Sequence, residues 1–239
     1  LAVERFIEWE FTSHGVHILG GDYDAGGNHG ECDLVIEALE TVIFMEVKKK
    51  TLTRRAKAGS DVHLLLDLAN SLLVAQAQAG WHEVRLRHHG YLDLERDGIV
   101  TRLELKGREV ERVAASLFDF GSFQDRILLK QFLEATMNAT LTPTDSKLGK
   151  KFTEINATLV EIRDQVAALN PGQEKINQPF FNCWFLSVPQ LLILLDGVTD
   201  AAGFKSALWS CRHLVTGSSD FYFDLAFSKR LRKHQPTSP

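Results

Sequence analysis

Two short apolar runs separated by a tight link constrain this chain more than any other feature. The first spans Cys32 to Glu37 and the second Thr41 to Val47; both are rich in Val, Ile and Phe, as strands are. The link from Glu37 to Glu40 suits a hairpin, which lays the strands antiparallel and sets the start of one beside the end of the other. Asp33 then lands near Glu46. Side chains alternate along a strand, so Glu46 and Lys48 share a face while Val47 joins Ile43 and Met45 on the other.

Two converging carboxylates suit a hard divalent cation, Mg²⁺ or Mn²⁺, which prefers oxygen donors and accepts further ligands from water or a phosphate. An ammonium two positions along would orient or deprotonate an attacking water, or neutralise charge developing on the phosphate. An Asp followed by Glu-x-Lys is therefore a phosphodiester-cleaving set. The plainer alternative is a surface hairpin whose Asp33, Glu46 and Lys48 form an ordinary ion pair.

Gly30-Glu31-Cys32-Asp33-Leu34-Val35 and Val42-Ile43-Phe44-Met45-Glu46-Val47-Lys48 together resemble the signature of the PD-(D/E)XK nuclease superfamily. The wording is closest to its branch of Holliday-junction-resolvase-like and small bacterial nuclease-like proteins. Cys32 stands where the family motif places proline. The resemblance covers only the first part of the chain. It implies a restriction-endonuclease-like α/β fold, a mixed β-sheet flanked by helices, with the Val47 carbonyl as a further metal ligand. It also implies that an opening helix aims a glutamate at the metal: Glu4, with Glu8 one turn on as the fallback. The helix after Glu-x-Lys would carry a polar residue inward, with Asn70, Gln76 and Gln78 as candidates.

The 239 residues have a formal net charge of −4, which excludes a chain coated with basic surface. Any nucleic-acid contact must come from a local patch. Lys49, Lys50, Arg54, Arg55 and Lys57 supply one directly after Lys48, with no acidic residue among them. Three widely spaced cysteines, Cys32, Cys183 and Cys211, argue against a disulfide framework or zinc site and for a reducing cytoplasm. No apolar run is long enough to span a bilayer, and the first residues lack a signal-peptide pattern. The chain starts at Leu1 rather than Met, which leaves open whether residues precede it.

Taken in order, the spacing predicts a helix to about His14 stopped by Gly15, a strand from Val16 to Leu19, and a glycine-rich loop from Gly20 to Gly30. Glycines in that loop would let backbone approach a phosphate or serve flexibility alone, and His29 is a candidate substrate contact. A helix from Ser60 or Asp61 should run through Ala77 and end at Gly80. Strands are expected at Glu83 to Arg87, Tyr91 to Leu94 and Ile99 to Leu105, with Asp97-Gly98 as a tight turn. His88 and His89, adjacent on an extended stretch, would face opposite ways and share no metal.

Beyond Glu109 the pattern turns helical: Val110 to Phe118, Phe123 to about Leu141, Leu148 to Leu169 and Ala201 to Leu214. The aromatic stretches Phe180 to Leu186 and Phe221 to Phe223 read as core or dimer interface before base-stacking surface. The basic tail from Ser228 to His234 offers a second phosphate contact, and the Pro-Ser end after it is expected to be mobile. The expected division is therefore 1–108, nuclease-like, and 109–239, a mainly α-helical C-terminal region that offers a route to a homo-oligomer. The expected function is a Mg²⁺- or Mn²⁺-dependent nuclease acting on DNA, with no membrane partner; RNA stays open as substrate because the same site would serve it. The competing reading is a non-catalytic protein that keeps a nuclease scaffold for nucleic-acid binding or assembly.

Overall fold

The computed structural model describes residues 2–173, 178–212 and 216–234. Helix α1 (Ala2–Ser13) buries Ile7 and Phe11. It stops where Gly15 takes φ 71°, at a point where an added Cβ would lie 2.3 Å from the Thr199 carbonyl oxygen. Strands β1 (Ile18–Ala25), β2 (Asn28–Glu37) and β3 (Thr41–Lys48) follow as an antiparallel meander.

The segment expected as a glycine-rich loop is instead a hairpin. Its Gly, Asp and Asn content hides the inward alternation of Tyr23 and Ala25, and Gly26-Gly27, at φ 61° and 77°, make the two-residue turn. The glycines serve that turn. The second hairpin forms as expected, with the Ala38 N–H donating to the Thr41 carbonyl at 2.8 Å.

Past β3 come α2 (Arg54–Lys57), α3 (Asp61–Leu68), a π-helical turn (Ala69–Leu73) and α4 (Val74–His89). Helix α4 overturns two expectations, a stop at Gly80 and a strand from Glu83. It runs on until Gly90 turns left-handed at φ 79°. Gly80 lies mid-helix because the Gln165 side chain packs against it; a Cβ there would meet Gln165 Oε1 at 2.1 Å. Strands β4 (Tyr91–Arg96) and β5 (Ile99–Glu104) pair across Asp97-Gly98 as expected, both turn residues at positive φ.

The expected helix at Val110 is strand β6 (Glu109–Ser116), parallel to β3 from Thr41↔Glu109 to Lys48↔Ser116. Strand β7 (Cys183–Ser187) lies parallel beside it. The result is one mixed seven-stranded sheet in the order β5-β4-β1-β2-β3-β6-β7. A boundary at residue 108 would fall between two strands of this sheet, and the part beyond it contributes two strands as well as helices.

Those helices are α5 (Arg126–Thr136), α6 (Gly149–Leu169), α7 (Val188–Leu195), α8 (Ala201–Ser210) and α9 (Phe221–His234). Helix α5 ends earlier than its periodicity suggests and starts later, because Asp125 caps its start by accepting from the N–H groups of Ile127 and Leu128. The expected end of the Ala201 helix at Leu214 and the Pro-Ser end of the chain lie outside the described residues. Among the described residues no helix is long and apolar enough to cross a membrane.

Both faces of the sheet are covered. Ile43, Met45 and Val47 pack with Ile7 and Phe11 of α1, Leu191 of α7 and Phe204 of α8. Val42 and Phe44 pack with Ala79 and Leu86 of α4 on the opposite face. Every residue of β3 before Lys48 is buried, so whatever charge the strand carries is held inside the fold.

Candidate active site

The ladder between β2 and β3 runs from Glu37↔Val42 to Leu34↔Met45. At that point β2 bulges. Between the pairs Leu19↔Val35 and Gly21↔Cys32, the single residue Gly20 of β1 faces both Leu34 and Asp33. Gly20 makes room for the bulge, since a Cβ there would stand 2.8 Å from the Asp33 carbonyl oxygen. The bulge redirects Asp33. Its Oδ2 accepts the Val47 N–H at 2.8 Å, and its own N–H reaches Glu46 Oε1 at 3.5 Å, so two carboxylates complete the ladder that backbone no longer can.

Asp33, Glu46 and Lys48 therefore meet, as the hairpin predicts. Lys48 Nζ is 3.5 Å from Glu46 Oε2 and 3.9 Å from Asp33 Oδ2. The Lys48 carbonyl accepts from Leu117 on the β6 side, while Val47 turns its N–H toward Asp33. The N–H and C=O of one strand residue point the same way, so the Val47 carbonyl faces the opening beside Asp33.

Glu46 is only 1% exposed. Burial opposes its charge, but the hydrogen bond from His82 and the charges around it outweigh that and hold its carboxyl below the ordinary range. Asp33 moves the other way, pushed up to about 6 by burial and then by the Glu46 charge, against the pull of the Val47 N–H and Lys48. Two neighbouring carboxylates whose pKa values are driven apart are a functional-site signature.

Glu4 of α1 lines a cleft of about 280 Å³ with Asp33, Cys32 and Glu31. Glu8, the fallback, is held by Arg96 through two hydrogen bonds of 3.0 and 2.7 Å. Of the basic residues expected on nucleic acid, Lys49 lies 3.4 Å from Glu4 and Lys50 lies 3.4 Å from the buried Asp67. Arg54, Arg55 and Lys57 stand exposed on α2, and Arg55 contacts His63 at 3.3 Å.

The polar residue that α4 delivers is none of the three candidates. Gln76 donates to the Trp184 carbonyl, Asn70 to that of Leu66, and Gln78 faces solvent. His82 arrives instead, with Nε2 3.1 Å from Glu46 Oε1 and Nδ1 2.7 Å from the Tyr23 hydroxyl. His82 lies two residues beyond the expected helix stop at Gly80, on the part of α4 that leads into the segment the sequence reads as strand. His29 is exposed and lies 3.7 Å from Asp22 rather than at the site. His88 and His89 belong to the last turn of α4, their rings 4.7 Å apart, so the strand argument about them does not apply. Cys32, Cys183 and Cys211 are buried free thiols.

Among the described residues no three His, Cys, Asp or Glu side chains form a ready metal-holding group. Two carboxylates and a backbone carbonyl nonetheless make an all-oxygen donor set, which suits Mg²⁺ or Mn²⁺. A cation shared by Asp33 and Glu46 would compete with Lys48 for Glu46 Oε2. No family model, curated protein or solved structure matches the chain.

Proposed function

We propose that the chain is a metal-dependent nuclease that hydrolyses phosphodiester bonds in DNA on a restriction-endonuclease-like fold. The observation that carries this reading is the convergence of Asp33, Glu46 and Lys48 where the β2–β3 ladder opens. Asp33, Glu46 and the Val47 carbonyl would hold Mg²⁺ or Mn²⁺. When bound, such an ion lowers the pKa of a coordinated water and offsets charge on the scissile phosphate. Lys48, drawn off the carboxylates, is placed to orient the attacking water and to meet the charge building on phosphate oxygens. Glu4, across the cleft, supports waters around the acidic pair.

Substrate would lie over the segment that leaves β3. Arg54, Arg55 and Lys57, exposed on α2, would meet successive phosphates, and the partly exposed Lys49–Glu4 pair is weak enough to exchange for phosphate. A second reading, a nuclease scaffold used only for binding or assembly, draws on one observation: both Glu46 oxygens already have partners, His82 and Lys48.

The test is cleavage of plasmid, single-stranded and branched DNA, and of RNA, with Mg²⁺ or Mn²⁺, by wild type beside Asp33→Ala and Lys48→Ala. Each variant should lose at least about a hundredfold in rate, and chelator should stop the wild type. Equal cleavage by all three proteins would reject the assignment. DNA binding without cleavage or Mn²⁺ uptake would select the second reading.

A further inference from the structure

Arg85, Tyr23, His82 and Glu46 form an unbroken hydrogen-bonded row ending at the candidate site. Arg85 Nη1 is 2.9 Å from the Tyr23 hydroxyl, that hydroxyl is 2.7 Å from His82 Nδ1, and Nε2 is 3.1 Å from Glu46 Oε1. Tyr23 and His82 are each 3% exposed, so their polar atoms must find partners inside the protein.

One assignment of donors and acceptors satisfies every group in the row. A guanidinium only donates, so the Tyr23 oxygen accepts from Arg85 and directs its own hydrogen to His82 Nδ1. An imidazole that accepts at Nδ1 carries its hydrogen on Nε2 and donates it to Glu46. A hydrogen on Nδ1 would instead face the Tyr23 O–H and leave a buried donor without an acceptor. Packing holds the ring as well, with Tyr23 edge-on at 5.5 Å and Phe44 at 5.4 Å between centroids.

We infer that His82 is a positioning residue for Glu46: it retains Oε1, fixes the rotation of the carboxylate and leaves Oε2 to face Lys48 and a divalent cation. Tyr23 and Arg85 set the tautomer that makes this donation. The inference rests on the nuclease reading and adds to it the device that orients one of its two acids. Partners that orient ligating side chains are worth about 10- to 100-fold in metal affinity. A histidine that only fastens α4 to β3 would affect melting and nothing else.

The experiment measures Mn²⁺ affinity by calorimetry, DNA cleavage and thermal melting on the full chain, for wild type, His82→Ala, His82→Gln and Tyr23→Phe. His82→Ala should raise the Mn²⁺ Kd about tenfold or more, and His82→Gln, which can still donate to Oε1, should recover most of that loss. Tyr23→Phe should weaken Mn²⁺ binding in the same direction, since Nδ1 then loses the hydroxyl that fixes the ring. If His82→Ala does not fold, the other two variants carry the test. Wild-type affinity in every folded variant overturns the inference and leaves the nuclease reading standing. A wild type that neither binds Mn²⁺ nor cleaves overturns both.

Discussion

At the scale of single residues, Asp33 carries the clearest cost. Its folded-state pKa of about 6 lies above the ordinary 3.8, so the native chain holds a proton there that the unfolded chain has already released. Through that window the native state binds more protons, and stability must fall as pH rises, with the full penalty present above about 6. Asp33→Asn keeps an oxygen for the Val47 N–H and removes the charge. In chelator, the metal-free variant should be more stable than wild type at pH 7 by about 1 kcal/mol, the full shift being discounted because the carboxylate is partly solvated. The gap should close toward pH 4. Denaturant melts at several pH values decide it; a gap that is constant with pH would mean that Asp33 is not strained by its neighbour. Asp33, Glu46 and Lys48 were legible because three neighbouring positions on a local hairpin need only its register to be placed. His82 was not, because its role depends on α4 crossing β3 from 36 residues away.

At the scale of elements, the site depends on a bulge rather than on either strand alone. Gly20 permits it, with the Asp33 and Cys32 carbonyl oxygens 2.8 and 3.1 Å from where a Cβ would stand. Both are backbone atoms of the sheet and cannot swing aside. Gly20→Ala should destabilise the fold by about 1 to 3 kcal/mol and move Asp33 off the Val47 N–H. Gly149→Ala, at the start of α6 with nothing within 4 Å of the new methyl, is the control and should be neutral or slightly stabilising. A Gly20→Ala protein with wild-type melting and metal affinity would remove the bulge from the account. Two of the elements that depart from expectation share one cause. Glu83-Val84-Arg85-Leu86-Arg87 alternates like a strand but is helix, and Glu109 to Ser116 looks helical but is strand; in each, charged residues are buried on distant partners. Glu83 sits 3.4 Å from Arg112, and Glu111 pairs with Arg212 and accepts from Trp184 Nε1 at 2.7 Å. Periodicity assumes that charge marks solvent, and a buried ion pair breaks that assumption.

At the scale of the whole molecule, the strand that bears Glu46 and Lys48 is central only because residues beyond 108 return to the sheet. Strand β3 lies between β2 and β6 along its full eight-residue ladder with β6, and β7 covers β6 in turn. Val42, Ile43, Phe44 and Met45 are all 0% exposed, and part of that burial is supplied by β6 and by α7 and α8. Residues 1–108 alone would present β3 as a long, flat, apolar edge, the kind of strand that pairs with other copies. That fragment should therefore give no cooperative melt and should aggregate, whereas the full chain melts in one transition. Size-exclusion chromatography with circular dichroism reads both properties. A monomeric fragment with a cooperative transition would show that the first 108 residues make their own core, and that β6 and β7 are additions to a finished site rather than the wall it is built against.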